Sequence, residues 1–288
     1  MDQLVSGAWL EDRLGSPDLR VLDCTVTMEV RPDGTRTFGP GRAAWEAGHV
    51  PGSAHVDLAR DLSDGSSPFP FMLPPAEQFG AVMERSGIGD GSRVVLYDSY
   101  ANAWAARVWW MLRAFGFDEA AVLDGGWRAW TADGRPASTD PEPERAPATF
   151  VPRFRPGLFV GKEDVLAALE GNGSCIVDAL PEVIYRGESS DYARPGHIPG
   201  AHNVNFLRLV DPETHRYLPG DQLRARFADV LEGEPSPVIT YCGGAIAASS
   251  DAFVLNLLGV EDVAIYDGSL SEWAADPSLP LVSGRAAL

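Results

Sequence analysis

The sequence predicts an α/β protein built from two tandem domains, each with a parallel sheet that helices cover on both faces. Two observations lead to this prediction. A set of four short segments occurs twice along the chain, in the same order. Within each copy, short apolar runs typical of buried strands alternate with patterns typical of helices, which favours a parallel sheet.

The internal repeat covers most of the chain. The distance between matching residues drifts slowly, from 155 between Asp23 and Asp178 to 143 between Trp130 and Trp273, as expected for two copies of one unit with small insertions. The matched pairs are RVLDCT (20–25) with CIVDAL (175–180), EAGHVPGSAHVD (46–57) with RPGHIPGAHNVN (194–205), RVVLYDS (93–99) with PVITYCG (237–243), and AVLDGGWRAW (121–130) with AIYDGSLSEW (264–273).

The strands and helices are predicted from residue type and from the residues that end each segment. β-Branched runs such as VVLY and VITY end in Asp, Cys or Gly, as buried strands do. The segments 105–116 and 245–259 each read as a helix that ends at a glycine in the C′ position. We therefore predict a first domain over residues 1–135 and a second over 158–288. The proline-rich stretch 136–157 is predicted to be an extended linker that lies against one or both domains.

Composition excludes several classes of protein. The chain has 288 residues, 45% of them hydrophobic, and a net charge of −18, which disfavours nucleic acids and anionic membranes as partners. No apolar run approaches the roughly 20 residues that span a bilayer. The first 15 residues carry acids and no apolar stretch typical of a signal peptide, so we expect a cytoplasmic protein.

The three cysteines are Cys24, Cys175 and Cys242. Their odd number, wide spacing and lack of a CxxC pair disfavour a disulfide framework or a zinc site and fit a reducing compartment. Cys24 and Cys175 fall in or beside predicted strands, where a small core residue is the expected role. No metal or organic cofactor is implied.

Cys242 stands where the strand VITY ends and a helix begins, after which Gly243 and Gly244 follow. Ligands of parallel sheets bind at such strand ends. The glycines are expected to adopt φ values that other residues avoid, so that the loop curls into a nest of backbone N–H groups. With the positive end of the helix, this nest predicts a thiol pKa below about 8.5.

The motifs YCGGAIAA, GHIPGA upstream and YDGSLSEW downstream resemble those of the two-domain rhodanese-type sulfurtransferases, and the resemblance spans nearly the whole chain. It implies that Cys242 takes a sulfur from thiosulfate or 3-mercaptopyruvate as a persulfide. The sulfur then passes to cyanide, a thiol or a thioredoxin-like protein. It also implies that the cradle for this sulfur is the loop Gly243, Gly244, Ala245, Ile246 and Ala247. In the first copy Asp98 occupies the cysteine position, so that copy is expected to be catalytically silent.

The residues around the loop leave the donor open. Gly243 and Gly244 replace the basic pair that the family uses with thiosulfate and the Gly-Ser pair that it uses with mercaptopyruvate. Phe71 stands where mercaptopyruvate enzymes have a histidine, and Leu180 where a second arginine is expected. Arg186 matches a substrate-binding arginine, although a salt bridge is an equal interpretation. Asp57 matches an acidic site residue, with a structural role favoured.

Two other functions compete with sulfur transfer. A Cys-based phosphatase needs an arginine six residues after the cysteine, where this chain has Ala248, and no arginine occurs between 227 and 284. A sulfane-sulfur carrier or regulatory module that binds a partner protein stays open because the Gly-Gly loop presents no side chain of its own.

Overall fold

The computed structural model describes residues 1–31, 36–146, 148–171, 173–232 and 237–284. The chain forms two compact units. Unit 1 consists of Met1–Ser66, Leu73–Arg155 and Asp211–Tyr217, and unit 2 of Ser67–Met72, Pro156–Val210 and Leu218–Leu288. No helix in the described part of the chain has the length and hydropathy that a bilayer span requires.

Unit 1 contains a five-stranded parallel sheet with the strand order β1-β7-β6-β2-β5. The middle residues of its central strands are all apolar and buried, so both faces of the sheet are covered. A separate antiparallel pair, β3 and β4, lies outside this sheet. The elements are β1 (Leu4–Val5), α1 (Gly7–Glu11), β2 (Leu19–Asp23), β3 (Val26–Val30), β4 (Arg36–Pro40), α2 (Arg42–Ala47), β5 (Ala54–His55), α3 (Ala76–Arg85), β6 (Arg93–Tyr97), α4 (Ala103–Ala114), β7 (Ala120–Leu123) and α5 (Gly126–Ala132).

Unit 2 repeats this design with the strand order β10-β9-β11-β12-β8, again fully parallel. A single turn of 3₁₀ helix, Phe206–Arg208, follows β10. The elements are β8 (Phe159–Val160), α6 (Lys162–Leu169), β9 (Cys175–Asp178), α7 (Glu182–Tyr185), β10 (His202–Asn203), α8 (Gly220–Arg226), α9 (Ala228–Leu231), β11 (Val238–Tyr241), α10 (Ile246–Leu257), β12 (Val263–Tyr266) and α11 (Ser269–Trp273). The predicted pair of parallel α/β sheets is confirmed.

Each unit includes a short segment from the other half of the chain, and the two segments correspond. Phe71 in unit 2 and His215 in unit 1 are 144 residues apart, which is also the separation of Asp98 and Cys242. Both have positive φ, +60° and +59°, a conformation that side chains with a Cβ rarely adopt. The repeat therefore extends to these exchanged segments, although their sequences, FMLPP (71–75) and HRYLP (215–219), differ.

The linker lies against unit 1 and contains no helix or strand among its described residues. Phe150 is 7% exposed and packs edge-on against Phe79, with 5.8 Å between ring centroids. Further along, the Arg153 N–H donates to the Phe115 carbonyl, and Arg155 forms a bidentate pair with Asp118 at 2.6 Å for each bond. Apolar packing and backbone pairing thus hold the linker although prolines deny it regular structure.

Helices α4 and α10 end as the glycine signals predict. Gly116 and Gly259 both have φ +88° and lie at C′. At each end the residue after the glycine donates to a carbonyl five residues back, as in Phe117 N–H to Leu112 O at 2.8 Å and Val260 N–H to Leu255 O at 3.0 Å. These are Schellman motifs, which satisfy carbonyls that the helix leaves unpaired.

The two glycines provide a matched pair of stability probes. An alanine at 259 would meet nothing within 4 Å, so Gly259→Ala should cost only the left-handed backbone strain of about 1 kcal/mol. At 116 the added Cβ would lie 2.8 Å from the Arg153 carbonyl oxygen of the linker. We expect Gly116→Ala to cost at least about 1 kcal/mol more, measured by denaturant unfolding followed by circular dichroism. Equal losses would contradict the placement of the linker.

Candidate active site

Cys242 follows the last residue of β11, at the carboxyl end of the unit 2 sheet. Tyr241 pairs with Asp178 of β9 in the central part of that sheet, so the cysteine leaves the strand close to the middle of its edge. Helix α10 begins four residues later, at Ile246. Cys242 is 3% exposed, which places its sulfur beneath the surface rather than on it.

Backbone N–H groups converge on this sulfur. Burial raises the pKa of the Cys242 thiol above its ordinary value, and amides of Ala248, Gly244, Gly243 and Ala247 lower it against that effect. The expectation of a lowered pKa is therefore wrong for the resting thiol, because desolvation outweighs the amide donors. The same donors stabilise a sulfur anion once one has formed there.

The equivalent loop of unit 1 holds a carboxylate in place of sulfur. Asp98 is 1% exposed, and its Oδ1 accepts from the N–H groups of Tyr100 at 2.6 Å and Asn102 at 3.2 Å. Its Oδ2 accepts from the Ala105 N–H at 2.8 Å. Burial raises the pKa of Asp98 to about 7, while these amides act in the opposite direction. The loop of this repeat therefore binds acceptor atoms in both copies, and Asp98 fills it without any capacity to carry sulfur.

The glycines of the loop do not have the backbone role that the sequence suggests. Neither Gly243 nor Gly244 has a positive φ; the residue with that conformation is Ala245, at +62°. Its N–H also turns away from the sulfur and donates to Ser269 Oγ at 3.2 Å. Of the five residues predicted to form the cradle, Gly243, Gly244 and Ala247 direct amides at the sulfur, Ala248 joins them, and Ile246 starts the helix.

Steric contact explains the glycine at 243. A Cβ there would overlap the hydroxyl oxygen of Tyr192 and approach its Cζ to 2.8 Å. At Gly244 a Cβ would meet the Pro70 carbonyl oxygen at 3.4 Å and the Phe71 ring at 3.6 Å, which are ordinary contact distances. Gly243 is therefore required for the close approach of Tyr192, whereas position 244 has space for a methyl group.

Ser269 anchors the Cys242 loop, a role that the sequence analysis does not predict. It is fully buried with φ +49°, and its Oγ accepts from the N–H groups of Cys242 at 3.1 Å and of Ala245. The hydroxyl donates its own proton to the Tyr266 carbonyl at 2.9 Å. Comparison of the two copies could have indicated this role, because the repeat aligns Ser269 with Gly126. Gly126 has φ +52° and leaves no room for a Cβ beside the Asp98 carbonyl. A serine in a position that otherwise favours glycine indicates a local role for its hydroxyl.

The two predicted site residues outside the loop, Arg186 and Asp57, each have partners close by in sequence. Arg186 forms an ion pair with Glu182 at 3.0 Å, one helical turn earlier, and its side chain is 31% exposed. Among the described contacts of Arg186, none reaches the Cys242 loop. Asp57 belongs to unit 1, where its Oδ1 accepts from the Arg60 N–H at 3.1 Å and its carbonyl begins a turn. Both arrangements fit structural roles.

A cysteine whose sulfur faces backbone amides at the end of a parallel strand, with a second copy of the same loop that holds an aspartate, defines a class of tandem α/β proteins. The rhodanese-like domain family matches residues 6–133 and 162–276, and the chain belongs to this family. Its relatives are transferases, and the chain is a sulfurtransferase of tandem rhodanese architecture.

Individual relatives are similar to this chain over nearly its full length. A probable 3-mercaptopyruvate sulfurtransferase of Pseudomonas aeruginosa is 35% identical, with 98% of both chains covered. A thiosulfate sulfurtransferase of Rattus norvegicus is 34% identical over 98% of this chain and 96% of its own. The crystal structure of SseA from Escherichia coli, a 3-mercaptopyruvate sulfotransferase with the rhodanese fold, superposes with a TM-score of 0.81 at 30% identity, covering 93% of this chain and 99% of that one.

Ser269→Ala should slow sulfur loading of Cys242 by about tenfold, because two buried N–H groups of the loop lose their acceptor. Ser271→Ala is the control. Its Oγ donates to the Gly243 carbonyl, but its own backbone N–H donates to the same oxygen at 3.1 Å, so that carbonyl stays paired. Loading is followed by intact mass in single-turnover experiments. A Ser271→Ala defect as large as that of Ser269→Ala would refute the anchoring role.

Gly243→Ala should impair loading more than Gly244→Ala, since only the first methyl group collides with a neighbour. The collision is with the far end of one side chain, so it has a specific remedy. In a Tyr192→Ala background, Gly243→Ala should cost little further activity. The measurement is the same single-turnover assay on the four variants. An undiminished Gly243→Ala effect in that background would show that the contact with Tyr192 is not its cause.

Proposed function

We propose that Cys242 is the nucleophile that accepts sulfane sulfur as a persulfide and passes it to a thiophilic acceptor. The observation that carries this proposal is the convergence of four backbone N–H groups on a buried sulfur. A persulfide terminus is a diffuse anion, and several weak, fixed donors in a site without bulk water suit it. Neither the loop nor the sequence around it supplies a cationic side chain for such an anion, because there is no Lys or Arg between 227 and 284.

The reaction begins when Cys242 loses its proton to solvent. With thiosulfate, the thiolate forms a bond to the outer sulfur, the S–S bond of the donor breaks, and sulfite leaves with the electron pair. With 3-mercaptopyruvate, the thiolate attacks the sulfur of the donor thiol, and the C–S bond breaks with its electron pair staying on carbon. The carbon then takes a proton from solvent, the sulfur that came from the donor thiol releases its own proton to solvent, and pyruvate leaves. Both routes yield the same persulfide anion on Cys242.

The acceptor completes the cycle by attack on the outer sulfur. Cyanide would leave as thiocyanate, and a dithiol of the thioredoxin type would release sulfide and form its own disulfide, which restores the Cys242 thiolate in each case. Unit 1 takes no part in sulfur transfer because Asp98 occupies its loop. Three free cysteines suit the cytoplasm, where we place this reaction.

Of the two donors we favour 3-mercaptopyruvate. Thiosulfate is a dianion, and no cation lies in the loop or in the segment from 227 to 284 to bind it. The net charge of −18 also opposes a dianion more than a monoanion. Relatives named for either donor are similar to this chain, so residues around the loop have to decide the matter.

Intact mass spectrometry tests the proposal. After incubation with 3-mercaptopyruvate or thiosulfate, the protein should gain the mass of one sulfur atom, and cyanide should remove it. Cys242→Ser should abolish the gain. Cys175→Ser is the control: burial raises the pKa of Cys175 to about 11, and it does not act there against amides like those at Cys242, so the loss of this thiol should change nothing.

The outcomes separate the competing functions. Loading without turnover to cyanide or thioredoxin would indicate a sulfur carrier rather than an enzyme. Hydrolysis of p-nitrophenyl phosphate without any loading would contradict the proposal and support a phosphatase.

A further inference from the structure

Unit 1 contains a small polar cleft beside the edge strand β5. The cleft has a volume of about 160 Å³ and lies between that strand, the end of helix α3 and the linker. A water molecule takes up about 30 Å³ of the liquid, so this volume suits a ligand of about five or six non-hydrogen atoms. The polar residues in its walls are His55, Asp61, Arg85, Ser86, Glu142 and Arg145.

Both carboxylates in these walls already have cationic partners. Asp61 forms an ion pair with Arg85 at 2.7 Å. Glu142 accepts from the Arg42 guanidinium at 2.5 Å and from the backbone N–H of His55 at 3.0 Å. The two carboxylates therefore need no cationic ligand, and they repel a dianion in the cleft more strongly than a monoanion.

Arg145 differs from these groups, because its guanidinium pairs with no carboxylate among the described residues. Within them it donates one hydrogen bond, from Nη2 to the Gly52 carbonyl at 2.7 Å, out of the five N–H groups that an arginine has. The side chain is half-buried, and burial lowers the pKa of Arg145, with nearby Arg20 acting in the same direction. Glu142 opposes this shift and has the smallest effect of the three. A cation that loses water without gaining a counterion is costly, which favours an anion at this place.

Arg20 brings a second cation close to Arg145. A Cβ on Gly87 would lie 3.1 Å from Cδ of Arg145 and 3.2 Å from Nε of Arg20, so the two side chains meet over this glycine. Arg20 donates to the carbonyls of Pro17, Leu19 and Gly87, and in the part of the chain that the structure describes it has no carboxylate partner either. The two guanidinium groups repel each other, and an anion bound by Arg145 would offset that repulsion.

We propose that this cleft is a binding site for a small monocarboxylate, which accepts hydrogen bonds from the Arg145 guanidinium. A carboxylate matches the planar fork of arginine with two parallel hydrogen bonds. The volume admits acetate, propionate or pyruvate, and the carboxylates in the walls disfavour a second negative charge on the ligand. The site belongs to the unit whose loop holds Asp98, so its occupation does not depend on the persulfide chemistry proposed for Cys242.

Titration of the ¹⁵N-labelled protein, followed by amide chemical shifts, tests the proposal. The probes are sodium acetate, sodium pyruvate and sodium sulfate, with sodium chloride added to keep the ionic strength constant. Both carboxylates should move the amide signals of residues 54–56 and 85–87 with a Kd of about 1 mM, as suits a ligand of so few atoms. Sulfate should bind there at least about tenfold more weakly, because it is a dianion.

Two substitutions in the walls should act in opposite directions. Arg145→Gln should raise the Kd for acetate at least about tenfold, and Arg145→Lys, which keeps the charge but loses the fork, should raise it less. Asp61→Asn should lower the Kd about threefold, because it removes a negative charge from the wall and weakens the hold on Arg85. If Arg145 only held the linker to the Gly52 carbonyl, Asp61→Asn would bring no such gain.

Arg155→Gln is the matched control, since Arg155 is also a linker arginine of unit 1 and its partner is Asp118, outside the cleft. It should leave the Kd unchanged, and the spectra themselves report whether each variant is folded. An equal loss of affinity in Arg155→Gln would attribute the effect to a loosened linker and overturn the inference. Sulfate binding as tight as acetate binding, or shifts confined to residues 242–248, would overturn it as well. None of these results bears on sulfur loading of Cys242, which the mass measurement tests separately.

Discussion

The ionisation of Cys242 depends on two opposing effects, the loss of water around its sulfur and the hydrogen bonds that backbone N–H groups donate to it. A sulfur that is 3% exposed loses contact with water, and the loop returns part of that lost stabilisation through four amides. For the neutral thiol this balance is unfavourable to ionisation. For an anion that forms inside the loop, the donors are already in place and need no reorganisation. The sheet, the helix α10 and the Ser269 anchor all serve to hold those amides around one point.

The first copy of the loop, in which Asp98 replaces the cysteine, shows what kind of atom the loop binds. Asp98 accepts three N–H bonds at a position 144 residues before Cys242, and its carboxyl is as deeply buried as the thiol. A carboxylate and a sulfur anion share little beyond a negative charge and the capacity to accept hydrogen bonds. Their interchange within one repeat argues that the backbone supplies the binding energy for the anion and that the side chain at this position determines the chemistry.

The sequence predicted the elements whose signals are local. The parallel sheets follow from apolar runs and the repeat, and Gly116 and Gly259 stop their helices as expected. The role of the loop glycines was misread because the contact of Gly243 with Tyr192 joins residues 51 apart, which no local pattern reveals. The raised pKa of Cys242 was also missed, since burial depends on the whole fold. Ser269 could have been found by comparing the copies, where it replaces Gly126.

Selectivity in such a site has to come from outside the loop. Backbone amides accept any sulfur anion of suitable size, and Gly243 and Gly244 add no side chain that could choose among donors. Any choice among donors therefore has to come from side chains that pack against the loop, such as Phe71 beside Gly244 and Tyr192 beside Gly243. The loop thus suits sulfur transfer without selecting the donor, so selection has to come from the residues packed against it.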